Sequence, residues 1–153
     1  MTDAEWAAAR DALPVPGWMR GRGGRPEGYC HRSMLDAIRY IVDNGIKWRA
    51  VPVDFPGWKR AYVFFSRWRD NHLVKEFHDR LRDKTRRAAG RDAEPTAGII
   101  HAQSVKAAAN VPAAERGFDG GRVINGRRQH LVTDCIGLVL DVLVTTAARL
   151  ISS

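Results

Sequence analysis

The chain has 153 residues, 44% of them hydrophobic, so it is long enough to bury one moderate core and too apolar to be disordered by composition. Lysine and arginine outnumber aspartate and glutamate by 25 to 17, and the resulting formal charge of +8 attracts polyanions such as nucleic acids. No apolar run reaches the roughly 20 residues of a membrane helix and no leader sequence is visible, which predicts a cytoplasmic protein without a membrane partner.

The chain begins with a short predicted helix and a breaker-rich loop. The helix runs from Asp3 to about Leu13, because Thr2 and Glu5 have the spacing of a capping box and Pro14 ends the pattern. The loop at 15–28 is dense in glycine and proline, so we expect it to be exposed. It carries three arginines that could contact DNA, namely Arg20, Arg22 and Arg25.

The clearest helix of the sequence begins at Ser33 and ends at Asn44-Gly45. Apolar residues at three- and four-residue spacing share one face of it, namely Met34, Leu35, Ile38, Ile41 and Val42. A connector with Pro52 and Pro56 follows, and its length fits a helix-turn-helix unit only loosely.

Two further helices are predicted before a polar linker at 91–96. The first covers Trp58 to Asp70, with Ala61, Phe65 and Trp68 on one face and Arg60 and Arg67 on an adjacent face. The second covers Leu73 to Ala89 and is rich in arginine. The sequence therefore predicts a helical region at 1–90.

Beyond the linker the pattern becomes that of strands. The β-rich runs are Gly98–Ile100, His130–Thr133 and Leu138–Val144, and a short glycine-containing connection makes 128–146 a predicted β-hairpin. The second strand of this hairpin is apolar on both faces, which predicts that it is well buried. The fold class is α+β, with strands confined to 97–148.

The two cysteines do not indicate a metal centre. Cys30 and Cys135 lie far apart and belong to no paired Cys/His ligand spacing. The sequence therefore predicts no zinc site, no other metal site and no disulfide framework.

Two strings of the sequence resemble DDE transposases of bacterial insertion sequences, specifically the insertion-sequence-five group. The string at 24–81 resembles their N-terminal region, and the string at 116–148 resembles the first β-hairpin of their catalytic domain. The first match rests on the order and spacing of four pieces: Gly24-Arg25-Pro26, Asn44-Gly45-Ile46-Lys47-Trp48-Arg49, Asp54-Phe55-Pro56 and Arg67-Trp68-Arg69.

The resemblance implies a helix-turn-helix-like DNA-binding region followed by the first strands of an RNase H-like α/β domain. In the active family three carboxylates hold Mg²⁺ ions that drive strand transfer. The implied partners are DNA, as the terminal inverted repeats of the element, and a full-length transposase or a second copy of the chain. The implied domains are a DNA-binding region at 1–90 and a partial catalytic domain at 97–148.

The chain departs from the family where the chemistry should occur. The family motif Asp-Ser-Gln-Ser-Val-Lys is here His101-Ala102-Gln103-Ser104-Val105-Lys106, so an imidazole replaces a carboxylate ligand. The family's other two acids lie further along than residue 153, and residues 149–153 resemble an unrelated tail. The resemblance thus implies a truncated, inactive chain with no intact catalytic residue and no cofactor of its own.

Three other residues are of a type that could replace a catalyst or a ligand. Asp134 ends a strand before a turn and Asp119 lies among glycines, so turn chemistry explains both better than catalysis does. We expect His130 to be a hydrogen-bonded strand residue.

The helices around 33–70 are predicted to bind DNA. Their aromatic residues Trp48, Phe55, Phe65 and Trp68 are expected in the core, while Arg69 and other cations face phosphate. The predicted contacts are Arg20, Arg22, Arg25, Lys59, Arg60 and Arg67, together with Arg127 and Arg128 from the family resemblance.

Three hypotheses for function stay open. The chain is a transposase fragment without transposition activity, or a DNA-binding regulator that inhibits an active transposase. The third is an active enzyme completed by a second, frameshifted product, and His101 argues against it because that defect lies within this half.

Overall fold

A computed structural model describes residues 1–20, 28–109 and 111–148. The described chain has four α-helices followed by a four-stranded antiparallel sheet, which confirms the α+β class. Its contacts divide it into two units, Met1–Thr85 and Arg86–Ser153, and each is described by itself.

The helices form close to where the sequence predicts them. In chain order they are α1 (Asp3–Arg10), α2 (His31–Asn44), α3 (Trp58–Asp70) and α4 (Leu73–Ala88). Both ends of α3 agree with the prediction, whereas α1 ends earlier than expected and α2 begins two residues earlier.

Local chemistry explains two of the helix ends. The Glu5 amide donates to Thr2 Oγ1 at 3.2 Å and the Thr2 amide donates to Glu5 Oε2 at 2.7 Å, so the predicted capping box is present. At the end of α2, Gly45 has φ 60°, a left-handed conformation that glycine adopts without a Cβ clash.

The core of the first unit is centred on Trp68, which is only 2% exposed. Its ring lies 4.9 Å from Phe64 and 6.3 Å from Phe77, measured between centroids. Two fully buried alanines, Ala37 on α2 and Ala61 on α3, belong to the same cluster. Their small side chains let α2 and α3 approach closely while the aromatic rings fill the remaining space.

Two details of the predicted core are wrong. Val42 is 73% exposed, because it lies about 140° around α2 from the buried Ala37 and so falls outside the buried stripe. Of the two adjacent phenylalanines on α3, Phe64 is buried, while Phe65 is half-buried, with its ring centroid 5.5 Å from that of Trp48. Trp48 and Phe55 pack against the core as partly buried rings.

The sheet of the second unit is organised around its longest strand. The strands are β1 (Ile99–Lys106), β2 (Gly117–Asp119), β3 (Ile124–Thr133) and β4 (Val139–Thr146). β3 is paired with β1 along one edge, and with β2 and β4 along the other. The predicted hairpin is therefore the β3–β4 pair, and Gly137, with φ 82°, lies in its turn.

The predicted burial of the second hairpin strand is wrong. Val142, Leu143 and Val144 of β4 are each about half exposed. Their alternation puts apolar groups on both faces, but among the described residues β4 is an edge strand with little cover on either face.

Buried ionic groups hold this second unit instead. Asp134 Oδ1 accepts hydrogen bonds from the amides of Ile136 (3.0 Å) and Leu138 (2.8 Å), while Oδ2 accepts one from buried Arg86. Burial alone would raise the pKa of Asp134, but the Leu138 amide and the Arg86 guanidinium outweigh it and lower the pKa. The turn chemistry predicted for Asp134 is confirmed.

A second buried carboxylate joins three strands. Asp119 ends β2 and accepts hydrogen bonds from Ser104 Oγ of β1 and from Arg128 Nη2 of β3, the latter at 2.8 Å. These two bonds, Ser104 first, lower the pKa of Asp119 to about 2. The other carboxylate oxygen of Asp119, Oδ1, accepts hydrogen bonds from the amides of Gly121 and Arg122. The predicted turn chemistry is therefore present, although the residue belongs to a strand.

We expect Trp68→Ala to lower the free energy of unfolding of the helical unit by about 3–5 kcal/mol, because the change leaves a cavity at the centre of the core. Urea unfolding followed by helical circular dichroism measures it. Val42→Ala is the control, and its effect should stay within about 0.5 kcal/mol. Equal effects of the two changes would contradict the core assignment.

We expect Asp119→Asn to weaken the sheet in a pH-dependent way. The folded pKa of about 2 lies below the unfolded value of about 3.9, so the carboxylate stabilises the fold fully above about pH 5. This advantage over the variant is lost as the pH falls from about 4 to about 2. Hydrogen exchange of β1 and β3 amides, corrected for intrinsic rates, measures the difference, and exposed Asp141→Asn is the control. A difference independent of pH would refute the linkage.

Candidate nucleic-acid interface

The strongest concentration of exposed positive charge in the first unit lies on α3. This helix carries Lys59, Arg60, Arg67 and Arg69 against one carboxylate, Asp70, and has no acidic residue in its first turn. Arg69 is paired with Asp70 at 2.9 Å. The other three cations are exposed, and we call Lys59, Arg60 and Arg67 the basic face of α3.

Aromatic rings support two members of the basic face. Arg67 Cζ lies 5.4 Å from the ring centroid of Trp18, and Lys59 Nζ lies 5.7 Å from that of Trp58. Arg49 Cζ stands over the same Trp58 ring at 5.3 Å. A cation over an aromatic ring keeps its charge, while the ring restricts the motion of its side chain.

Lys59 and Arg60 have no carboxylate partner within the described parts of the chain. The start of α3 adds to the positive potential, because its N-cap is Gly57 with no side-chain hydrogen bond and the first amides of a helix have no intrahelical acceptor. Within the described parts of the chain, Lys59 and Arg60 therefore offer positive charge that no carboxylate neutralises.

The next helix is also rich in cations, but three of its six cations pair with its own acids. On α4, Lys75 pairs with Asp79 at 2.7 Å and Arg80 with Glu76 at 2.5 Å, both at i,i+4 spacing. Arg82 contacts Asp79 at 3.1 Å. A phosphate approaching α4 would have to compete with these carboxylates, so α3 is the better candidate interface.

The predicted DNA-contact residues are distributed over both units. Lys59, Arg60 and Arg67 lie together on α3, and Arg20 is exposed after a short turn at Gly17–Met19. Arg22 and Arg25 lie outside the described residues. Arg49 was not predicted as a contact, because its position nine residues before Trp58 gives no periodic signal that links it to α3.

The two predicted contacts in the second unit are paired with carboxylates. The Arg127 guanidinium donates to the Glu115 carboxylate, and its Nε also donates to the backbone carbonyl oxygen of Glu115 at 3.1 Å. Arg128 is mostly buried and binds Asp119. Both stay predictions as DNA contacts, and a phosphate would have to displace these partners.

The sequence resemblance assigns His101 to a catalytic position, and this residue is exposed on β1. His101 pairs across the sheet with Leu131 and lines a shallow depression of about 370 Å³ together with Gln103, Arg122 and Gln129. An imidazole, two amides and a guanidinium are poor ligands for Mg²⁺, which prefers carboxylates. Nowhere in the described parts of the chain do three His, Cys, Asp or Glu side chains converge as a metal site would require. The residues present do not fit the family's metal pair.

His130 has a structural role on the same strand. Its Nε2 lies 3.1 Å from Thr145 Oγ1 of β4, which confirms the prediction of a hydrogen-bonded strand residue. Asp119 and Asp134 are likewise occupied by the bonds described above, so neither is presented to a substrate.

Comparisons with known proteins identify a family for the helical part of the chain. A family model described as "Putative transposase of IS4/5 family (DUF4096)" matches residues 1–78, which include α1, α2 and α3. No curated protein and no solved structure matches the chain significantly. Among the described helices none is long and apolar enough to cross a membrane. With half of its length matched and a basic helix within the match, the chain belongs to the IS4/5 transposase family.

Proposed function

We propose that this transposase-type chain binds duplex DNA at the terminal inverted repeats of an insertion element, and that it does not catalyse transposition. The observation that carries the proposal is the basic face of α3, where exposed cations outnumber carboxylates. Phosphate contacts of this kind supply most of the affinity of a protein for duplex DNA.

The dimensions of α3 support duplex DNA as the polyanion. Its 13 residues span about 20 Å, and the major groove is wide enough to admit one α-helix. We propose that α2 and α3 act as a helix-turn-helix-like pair in which α3 enters the groove. In this arrangement Arg20, Arg22 and Arg25 form an arm that follows the backbone or the minor groove.

The inactive character of the chain is also a proposal. It is supported by His101 at the position of an acid and by the unsuitability of its neighbours as Mg²⁺ ligands. We propose that the sheet corresponds to the first strands of an RNase H-like domain at 97–148, and the neighbouring antiparallel strands β1, β3 and β4 support this. In that domain Arg127 and Arg128 are secondary phosphate contacts.

The alternative is a regulator that occupies element ends or joins an active transposase in mixed assemblies. The same basic face supports it, since DNA binding without catalysis is what such an inhibitor requires. Adding the chain to an active transposase of the family should then reduce strand transfer, and removal of the basic face should abolish the inhibition.

We expect the double variant Lys59→Gln/Arg60→Gln to bind a mixed-sequence duplex more weakly than the unaltered chain. Because two phosphate contacts are lost, the slope of log K against log salt should fall in magnitude by about 1.8. Fluorescence anisotropy across a salt series measures both quantities.

The matched control removes the same two charges from α4, as Lys75→Gln/Arg80→Gln. Its salt slope should stay close to that of the unaltered chain, because these cations already pair with carboxylates. Equal losses in the two double variants would mean that only net charge matters, and the assignment of α3 would be wrong.

We expect no Mg²⁺-dependent nicking of a duplex carrying the element's inverted repeats, and we expect His101→Asp alone to leave this unchanged. One restored carboxylate does not complete a site that needs three. Gel analysis of nicked strands with and without a chelator is the measurement. Nicking by the unaltered chain that the chelator abolishes would disprove the proposed inactivity.

A further inference from the structure

An apolar side chain lies at the centre of the basic face of α3. Val63 is 49% exposed. Lys59 lies four residues before it, Arg60 lies three residues before it, and Arg67 lies four residues after it. Residues at these spacings are neighbours on a helix surface, with Cβ atoms about 5–6 Å apart. Val63 is thus surrounded by the three cations.

Phosphate binding does not explain this valine. A surface that only holds phosphates gains nothing from an apolar group, and a β-branched residue is a weaker helix former than alanine or lysine. The core does not explain it either, because the buried line of α3 runs through Ala61, Phe64 and Trp68. Val63 is therefore available to contact an apolar feature of a ligand that also carries negative charges.

We propose that Val63 contacts the C5-methyl group of a thymine in the major groove, and that this contact gives the chain a sequence preference. The inference rests on the proposed DNA binding and deepens it. The thymine methyl is the apolar group among the base edges of the major groove, and it lies between two rows of phosphates. Lys59, Arg60 and Arg67 then reach the phosphates around the same groove.

The charge of α3 favours DNA over an apolar protein partner. Its only carboxylate is Asp70 at the last residue, and that one is paired with Arg69. A protein or membrane contact would be expected to use a broader apolar patch. A single valine within a ring of cations fits one methyl group on a polyanion.

A second exposed valine provides a matched control. Val42 lies on α2 and is 73% exposed, but the cation three residues before it, Arg39, contacts Glu5 at 3.1 Å and Asp43 at 3.5 Å. Its surroundings are neutralised, so Val42 should have no role in DNA recognition.

The test uses the full chain and a duplex pool with a randomised central segment, from which bound sequences are selected. In the selected duplex each thymine is replaced in turn by uracil, which removes only the methyl group. We expect one or two replacements to weaken binding by about fourfold, the equivalent of one buried methyl. The same replacements should have no effect on Val63→Ala, whereas Val42→Ala should respond like the unaltered chain.

A variant of nearly the same shape makes the test independent of folding. Val63→Thr replaces one of the two methyl groups by a hydroxyl, so its sensitivity to uracil should fall below that of the unaltered chain. Its thermal unfolding should stay close to that of the unaltered chain, because the residue lies on the surface. If the unaltered chain and both Val63 variants respond equally to uracil, the inference is overturned.

The remaining outcomes separate this inference from the proposed function. Salt-dependent binding to every duplex without any selected sequence overturns the role of Val63 and leaves the proposed DNA binding in place. No binding to any duplex at low salt overturns both.

Discussion

The burial of Trp68 is the interaction on which the proposed interface depends. Its indole packs against Phe64 and Phe77 beside the two buried alanines that bring α2 and α3 together. An α-helix buried along one line must present the opposite line to solvent. The rotation that inserts Trp68 into the core therefore also turns Val63 and the cations of α3 outwards.

Positive charge is abundant throughout the sequence, but the helices differ in how many of their cations pair with carboxylates. On α4 the carboxylates stand one turn away from the cations and pair with them, whereas α3 has a single carboxylate at its end. Aromatic rings lie beneath Lys59 and Arg67, and a cation over a ring keeps its charge. Membership of the IS4/5 transposase family agrees with a surface of this kind, since such proteins act on DNA.

The second unit is held in a different way from the first. Its most buried groups include Asp119 and Asp134, each fixed by an arginine and by backbone amides, while apolar residues of β1 and β4 remain exposed. The carboxylate of Asp119 joins strands and that of Asp134 closes a turn, so neither is available for catalysis. The one position that the family resemblance assigns to catalysis carries His101, and its neighbours do not suit Mg²⁺.

The sequence by itself determined the local features: the limits of α3, the capping box of α1, the glycine end of α2 and the β3–β4 hairpin. These follow from periodicity and capping chemistry within a few residues. Only the tertiary structure decided that Phe64 rather than Phe65 is fully buried, because both stand at helical spacing from Trp68. It also decided that β4 is exposed and that Arg128 is paired with Asp119, since burial and ion pairing depend on which distant residues meet. The grouping of Lys59, Arg60 and Arg67 was predictable, but the Trp18 ring beneath Arg67 was not, because Trp18 lies far from α3 in sequence.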